Sequence, residues 1–331
     1  MDASRDQLQP GPGETPQPAP EADTQISLVA GELLALDPHG ERISATLRKT
    51  YDVLLDGQHT GRYRWDELYK TEKTHFGTLL EINLQREFSF TDGVTMDFAI
   101  RDIDVDCKFS QHKAKWMIPP EAMGHLLLGL WASDDEGKWS AGLARVRTEH
   151  LNKGQGNRDQ KRSLSADGRA SIHWLFEDKP LPENVLLRLP AADVDTIFNC
   201  SPFGTKRVDM LFRLAQQRRI SRAAVATVAQ QDDYMKRVRG NGGSRTSLRH
   251  EGIVILGQYN SHKQLAETLG LPLPSAGEFV SVRLAHRSDH HGGAASVMLD
   301  GRHWVVALPD DLAEMAPVLP DIGKKPAGDA Q

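Results

Sequence analysis

Apolar residues change their repeat length partway along this chain, and that change decides which architectures are open to it. Ile26, Val29, Leu33 and Leu34, then Ile43, Leu47, Val53 and Leu54, recur at helical spacing, with Pro38, His39 and Gly40 breaking the pattern between the runs. Two helices therefore open the folded part of the chain. A third is predicted over residues 72–87, with Leu79, Ile82 and Leu84 set for burial and Glu72, Lys73 and Arg86 for solvent. From Met96 the period becomes two. Residues 96–100 and 103–109 read as short strands joined by a turn at Arg101 and Asp102, most economically a hairpin. Residues 125–132 are a continuous apolar run of strand length, as a strand buried on both faces requires, and residues 139–146 are its expected neighbour. Further elements are expected at 172–176 and, strand-like, at 184–189. The first part of the chain is thus an α/β domain with a central mixed sheet flanked by helices.

At 331 residues the chain has room for two domains, and 39% hydrophobic with 26% charged residues is a globular balance. The longest apolar run falls far short of the ~20 residues of a membrane span, and no charged-then-apolar leader opens the sequence. Two cysteines, Cys107 and Cys200, provide neither a disulfide framework nor a four-cysteine zinc site, which points to a reducing, cytoplasmic setting. Residues 1–23, rich in proline and poor in large apolar side chains, read as a disordered tail. The expected division is 24–180 as a catalytic domain, 181–203 as a linker region, 204–318 as a second domain and 319–331 as a flexible tail.

The net charge of −5 is not evenly spread. Residues 205–250 carry eleven Lys and Arg against Asp209, Asp232 and Asp233, a local +8, so the remainder carries −13. Segregation of that size suggests a surface facing a polyanion. Within this segment Val208, Leu211, Phe212 and Leu214 mark one amphipathic helix, and Ala223, Val225, Ala226, Val228 and Ala229 a second, with Ser221 as its N-cap. A third helix carrying Lys236, Arg237 and Arg239 is expected, then a Gly240-Asn241-Gly242-Gly243 turn, Arg245 and Arg249, and a strand at 253–256. That order matches an α+β domain with a winged helix-turn-helix, whose basic helix lies in the DNA major groove. A solvated basic face is the plainer alternative, and eleven cations over successive elements argue against it. No Gly-Lys-Ser/Thr follows the glycines, so they are not a nucleotide-binding loop.

The catalytic candidate lies at the predicted hairpin. Asp97 precedes Asp106 and Lys108 in the spacing D-x8-D-x-K, with Glu81 on the helix before it. Positions 106 and 108 share one face of a strand, and a hairpin brings Asp97 alongside. Converging carboxylates suit Mg²⁺, a hard cation satisfied by a few carboxylates plus phosphate and water oxygens. Lys108 is then placed to orient or deprotonate an attacking water and to stabilise charge building on phosphorus, which is the chemistry of phosphodiester hydrolysis. By itself the spacing is a weak signal. Alternation raises it, because Ile103, Val105, Cys107 and Phe109 face the core and leave Asp104, Asp106 and Lys108 in a row opposite, where an ordinary strand would use Thr or Ser. Cys107 itself should be structural, since reactivity requires exposure.

Longer runs carry a family resemblance. Residues 56–58 (DGQ), 70–75 (KTEKTH), 80–84 (LEINL), 105–111 (VDCKFSQ) and 225–233 (VATVAQQDD), and the stretch on to Arg245, resemble NaeI-type restriction endonucleases, and the likeness spans nearly all the chain after the Pro-rich tail. The resemblance implies a restriction-endonuclease-like cleavage domain whose metal-site residues fall on Glu81, Asp97, Asp106 and Lys108, and a C-terminal domain with a catabolite-activator-like helix-turn-helix. It implies a bacterial, Mg²⁺-dependent homodimer that binds two copies of its site in double-stranded DNA, one cleaved and one an activating effector (type IIE), with GCCGGC cut centrally to blunt ends. DNA contacts are then expected from Lys236, Arg237, Arg239, Arg245 and Arg249. The rival class is a catalytically silent DNA-binding regulator, against which retention of all four site residues counts. A nicking or repair nuclease is a third reading, one that needs neither dimer nor second site.

Two further motifs are set aside. Leu54-Leu55-Asp56-Gly57 resembles the Lys-x-Asp-Gly of DNA ligases, but Leu54 stands where the nucleophilic lysine would be and cannot form a phosphoramidate, so a helix-ending Asp-Gly turn is expected. His286, His290 and His291 near Asp289 have the side chains to bind a transition metal, yet their Gly-rich neighbourhood reads as a loop.

Overall fold

In the computed structural model the described residues are 23–154, 156–201 and 204–321, so residues 1–22 of the tail expected at 1–23 lie outside them, while Asp23 is ordered, capping the first helix through the Ile26 amide at 3.2 Å and pairing with Arg145. Helices α1 (Thr24–Leu36), α2 (Glu41–Leu55), α3 (Gly57–Thr60) and α4 (Lys70–Phe88) come first. The break at Pro38 to Gly40 is real: Gly40 caps α2 at φ 75°, a left-handed conformation open to glycine. Strands β1 (Thr91–Asp92), β2 (Phe98–Ile100), β3 (Ile103–Ser110), β4 (Leu126–Ser133) and β5 (Lys138–Arg145) follow, then α5 (Ala166–Ala170) and β6 (His173–Pro180). They form one mixed sheet in sequence order, antiparallel except for the parallel pair β3–β4. The β2–β3 hairpin turns at Arg101 and Asp102, both at positive φ, the geometry whose twist matches paired strands.

One face of this sheet is covered by helices. Leu33, Leu47, Tyr51, Phe76, Leu80 and Leu84 pack there against Val105, Cys107, Leu128 and Leu143. The opposite face carries a second cluster, in which Trp116, Ile118, Leu151 and Leu164 cover Leu127 and Ala144. Gly129 allows that cover: a Cβ there would lie 2.5 Å from the Trp116 ring. Burial on both faces explains the unbroken apolar run of β4.

The rest of the chain is α6 (Ala191–Asn199), α7 (Thr205–Leu214), β7 (Arg219–Ser221), α8 (Arg222–Ala229), α9 (Ser244–Ser247), β8 (Ile253–Leu256), α10 (Asn260–Thr268), β9 (Glu278–His286), β10 (Val297–Leu299) and β11 (Arg302–Val306). Strand β9 is the spine of a second sheet and pairs with β7, β8 and β11. Ser221 caps α8 as expected, its hydroxyl accepting from the Ala224 amide at 3.1 Å. The third, basic helix is not formed. A 3-10 turn at Tyr234–Arg237 is followed by irregular chain, the four-residue α9 and another 3-10 turn at Leu248–Glu251. Gly240, Gly242 and Gly243 follow directly and keep the short turn from extending, each unfavourable in a helix by roughly 1 kcal/mol, and Gly242 sits at φ 79°.

Two other expectations change. Residues 184–189 are a 3-10 turn, Val185–Leu187, rather than a strand, because Asn184 accepts from the Leu186 amide and starts a turn. The segment from 181 also does more than link: Val185, Leu186 and Ile197 are buried in the second core. At the other end, Leu319 is buried and the Pro320 carbonyl lies 2.8 Å from His262 Nε2, so residues 319–321 are packed rather than free, and the remainder of that tail lies outside the described residues. No described helix is long and apolar enough to cross a membrane.

The two sheets are joined through α3. A Cβ on Gly57 would fall 2.1 Å from Thr227 Oγ1, so the backbone of α3 packs directly against a side chain of α8. Gln58 donates to Asp232 at 3.2 Å, Asn184 donates to the Tyr63 carbonyl at 2.9 Å, and Tyr63 stacks on Phe198.

Candidate active site

Three features of the first domain converge on the start of β3. Strand β2 begins only at Phe98, which pairs with Val105, so the antiparallel hairpin leaves the β3 edge open from Asp106 onward. Asp97, in the bend just before β2, fills that opening: its Oδ2 accepts the Cys107 amide at 2.7 Å, where a neighbouring strand would otherwise sit. Helix α4 lies against β3 and brings Glu81 to the same place, where it shares an electrostatic environment with Asp97, Asp106 and Lys108. Lys108 Nζ donates to Asp106 Oδ1 at 2.5 Å and to the Cys107 carbonyl at 3.0 Å, and stands 3.4 Å from Asp97 Oδ2. All four residues expected of the site are thereby gathered. Cys107 points into the helix-covered core, where burial holds its thiol well above its ordinary pKa.

The electrostatics of the cluster are unbalanced. Asp106 is only 4% exposed, and desolvation pushes its pKa up to about 6 despite Lys108. Glu81 is likewise raised to about 6, first by burial and then by Asp97. Burial alone would depress Lys108, but Asp106 and Asp97 outweigh it and hold the ammonium above its usual pKa. Asp106 Oδ2 is buried without a hydrogen-bond partner. Three carboxylates around one ammonium, with a buried acceptor unsatisfied, fit a hard divalent cation.

Asp104 was legible only as one member of a charged row, and its role is different. Its carboxylate accepts from the Val94 amide at 2.8 Å, the Thr95 amide at 2.8 Å and Thr95 Oγ1 at 2.7 Å, so it fixes the loop that ends at Asp97. Its pKa is lowered by these hydrogen bonds, which outweigh its desolvation.

Of the five cations expected on DNA, the structure separates two groups. Arg245 donates from Nε to the Ile255 carbonyl at 3.1 Å, and burial depresses its pKa; Arg249 donates to the Ala316 carbonyl at 2.9 and 3.2 Å. Both guanidinium groups thus knit the second domain together. Lys236 is exposed and Arg237 half-buried, and each pairs with Asp233, whereas Arg239 is exposed with no ion pair among the described residues. The histidines divide as well. His290 and His291 converge on Asp311, not on Asp289, while His286 pairs with Glu314. His291 Nδ1 accepts the Ser288 amide at 3.1 Å, which puts its proton on Nε2, facing Asp311 Oδ2 at 3.0 Å. A metal at that Nε2 would have to displace this proton, so the arrangement is a hydrogen-bonded clamp. The Asp-Gly turn is as expected: Asp56 ends α2 in the left-handed region, at φ 48°.

A mixed sheet with helices packed on one face, and an Asp-Asp-Lys cluster with a helix-borne Glu at a truncated strand pair, is consistent with a restriction-endonuclease-like domain. A family model described as "Restriction endonuclease NaeI" matches residues 27–315. The chain is also 47% identical over 313 residues to "Type II restriction enzyme NaeI" of Lentzea aerocolonigenes, covering 93% of this chain and 98% of that protein. The chain belongs to the NaeI family of restriction endonucleases, and hence to the nucleases.

Asp104 offers a test of how the site is held. Asp104→Ala removes three acceptor contacts and frees the loop before Asp97; a misplacement of about 1 Å is enough to slow cleavage roughly a hundredfold. Asp104→Asn, which keeps one carbonyl oxygen, should be intermediate. Cleavage rates measured across a metal titration should show more metal needed for half-maximal rate; wild-type rates at every metal concentration would mean that the Asp104 contacts do not position Asp97.

Proposed function

We propose that this chain is a type II, Mg²⁺-dependent endonuclease that hydrolyses both strands of duplex DNA as a homodimer in the bacterial cytoplasm, activated by a second copy of its site (type IIE). The observation that carries the reading is the buried, unpartnered Asp106 Oδ2 among Glu81, Asp97 and Lys108 in a chain of this family. Glu81, Asp97 and Asp106 would hold Mg²⁺, which when bound supplies Lewis-acid polarisation of a phosphoryl oxygen. Lys108 is held charged by its two carboxylates, so it serves as a cation: it orients the attacking water and stabilises the negative charge that grows on phosphorus. The second domain is read as the effector-site reader. Helices α7 and α8 support a helix-turn-helix there, with the 3-10 turn and α9 in place of a continuous recognition helix, and Lys236, Arg237 and Arg239 as its DNA-facing cations. GCCGGC with a central blunt cut is the target proposed. A silent regulator is the less economical reading, because it would have no use for an Asp106 kept desolvated beside Lys108.

Asp106→Ala should abolish cleavage while DNA binding survives, because the basic segment is untouched; gel-shift and plasmid-cutting assays with sequenced ends read both. Cutting at a substantial fraction of the wild-type rate would overturn the site assignment.

The pH dependence follows from the raised carboxylates. Glu81 and Asp106 are neutral below about 6 and bind a cation only when ionised, so cleavage should fall as pH drops through that value. In metal-free protein the sign is opposite. Ionising these desolvated groups costs stability, which is absent below the unfolded-state pKa and complete above about pH 6, so their contribution favours the folded state as pH falls from 7 to 5. Melting curves with and without Mg²⁺ should therefore converge towards pH 5; a Mg²⁺ increment independent of pH would exclude these groups as ligands.

The two-site reading predicts slow cutting of one-site plasmids and acceleration by a short duplex carrying the site, since binding at the two places must be reciprocally coupled. Neutralising Lys236 and Arg237 should remove the stimulation and lower the salt slope of effector binding by roughly one unit per lost phosphate contact. Equal rates on one-site and two-site plasmids, unaffected by added duplex, would leave a one-site enzyme.

A further inference from the structure

The polar stretch after β5 is a built arm on the catalytic domain. Val146 leaves the sheet and the chain returns through paired backbone: Asn152 N donates to the Ser163 carbonyl at 2.9 Å, Ser165 N to the His150 carbonyl at 2.8 Å, and Arg162 exchanges bonds with Ile118 at 2.9 and 3.0 Å. Near its tip, Asn157 Oδ1 accepts the Asp159 and Lys161 amides at 3.1 and 2.9 Å. Its foot is apolar: Leu151 and Leu164 are buried against Leu127 and Ala144.

That foot locates the arm relative to the active site. Asp106 pairs in register with Leu127, and Leu127 with Ala144, so all three side chains rise from one sheet face. Two strand spacings, about 10 Å, separate Asp106 from Ala144. The arm therefore stands on the face that carries Asp106 and Lys108, and the helices occupy the other face.

Its charge has no internal purpose. Lys153, Arg158, Lys161 and Arg162 stand against Asp159 alone within residues 152–163, in a chain otherwise acidic outside 205–250. Lys153 and Arg158 are exposed, and none of the four has an ion-pair partner among the described residues. An open groove of about 750 Å³ runs beneath the arm, lined by Pro119, Pro120, Met123, Gly154 and Arg158. A solvated face would not require a hydrogen-bonded frame and a buried foot to hold it on the sheet face that carries Asp106.

We infer that this arm is a phosphate clamp for the duplex being cut. Lys153, Arg158 and Lys161 would grip backbone phosphates flanking the scissile bond, offsetting the repulsion that Glu81, Asp97 and Asp106 exert on DNA. The inference rests on the cleavage-site assignment above. It gives the catalytic domain its own DNA contact, separate from the basic segment of the second domain.

The test is the full-length variant Lys153→Gln/Arg158→Gln/Lys161→Gln, assayed for plasmid cleavage across a salt series beside wild type. KM should rise about tenfold, and the slope of log affinity against log salt should fall by roughly 2.7 units, at about 0.9 per lost contact. The rate at saturating DNA should stay within about twofold, since the contacts are to substrate and not to the reacting atoms. Lys153→Arg/Lys161→Arg keeps the charges and should retain wild-type KM, which separates charge from folding. Wild-type KM and salt slope in the triple variant, or loss of rate at saturating DNA with KM unchanged, overturns the clamp. Asp106→Ala run alongside tells the two assignments apart: if it is inactive while the triple variant matches wild type, only the clamp has failed, and if it still cuts, the cleavage site and the clamp fall together.

Discussion

The short contact between Lys108 and Asp106 is what the charged cluster of the first domain is built around. Strand β3 commits Val105 and Cys107 to the helix-covered core, so Asp106 and Lys108 are forced to the other face, where neighbouring residues bury Asp106 almost completely. An isolated buried carboxylate would cost several kcal/mol. Lys108 offsets part of that cost, and the upward shift of Asp106 shows that it does not offset all of it. The remaining deficit is one of positive charge, since Asp97 and Glu81 add negative charge to the same place. A structural ion pair would be expected to balance; this one is left short by an amount that a divalent cation would supply.

The period-two alternation made most of this visible in the sequence. It placed β3, its core face and its charged face, and the spacing to Asp97 gave the partner across the hairpin. What it did not show was that β2 begins only at Phe98, although the alternation starts at Met96, so that Asp97 satisfies the Cys107 amide with a side chain instead of a strand. Alternation reports which face a residue occupies and says nothing of where pairing ends. The role of Asp104 is hidden for the same reason: its place in the charged row is clear, but its three acceptor contacts depend on a loop whose path no periodicity encodes. The basic segment shows the opposite failure. Composition identified its cations correctly but assigned them one role, and the fold turns Arg245 and Arg249 inward onto backbone carbonyls, a use of arginine that composition cannot distinguish from a phosphate contact.

The boundary between the domains is less a linker than an exchange of parts. Tyr63 from the first domain packs into the second core, and Arg188, from the segment between them, donates to the Asp134 and Asp135 carbonyls that follow β4. Gly57 lets the backbone of α3 pack directly on the Thr227 side chain of α8. Such a junction resists rotation of one domain on the other, because any displacement must break packed contacts on both sides.

That rigidity bears on how occupancy of the second domain would reach the candidate site. A change at α8 is felt first by Gly57 and Gln58, and the same short segment continues to Arg62, whose Nε donates to the Leu55 carbonyl at 3.2 Å and whose guanidinium is bidentate to Glu72 at 2.9 Å for both bonds. Glu72 lies in the first turn of α4, and Glu81 lies further along the same helix. The path from the second domain to a carboxylate of the site is therefore contiguous: the contact of Gly57 with the Thr227 side chain, a fork-like ion pair and a single helix. For this path to carry a signal, the Arg62–Glu72 ion pair would have to take two arrangements, with Arg62 held as well by the Leu55 carbonyl at the end of α2. Coupling of this kind requires that the two arrangements differ in how Glu81 meets Asp97 and Asp106. Glu81 has no hydrogen bond among the described residues and is held only by helix position, so of the three carboxylates it is the one whose placement a shift of α4 would alter most.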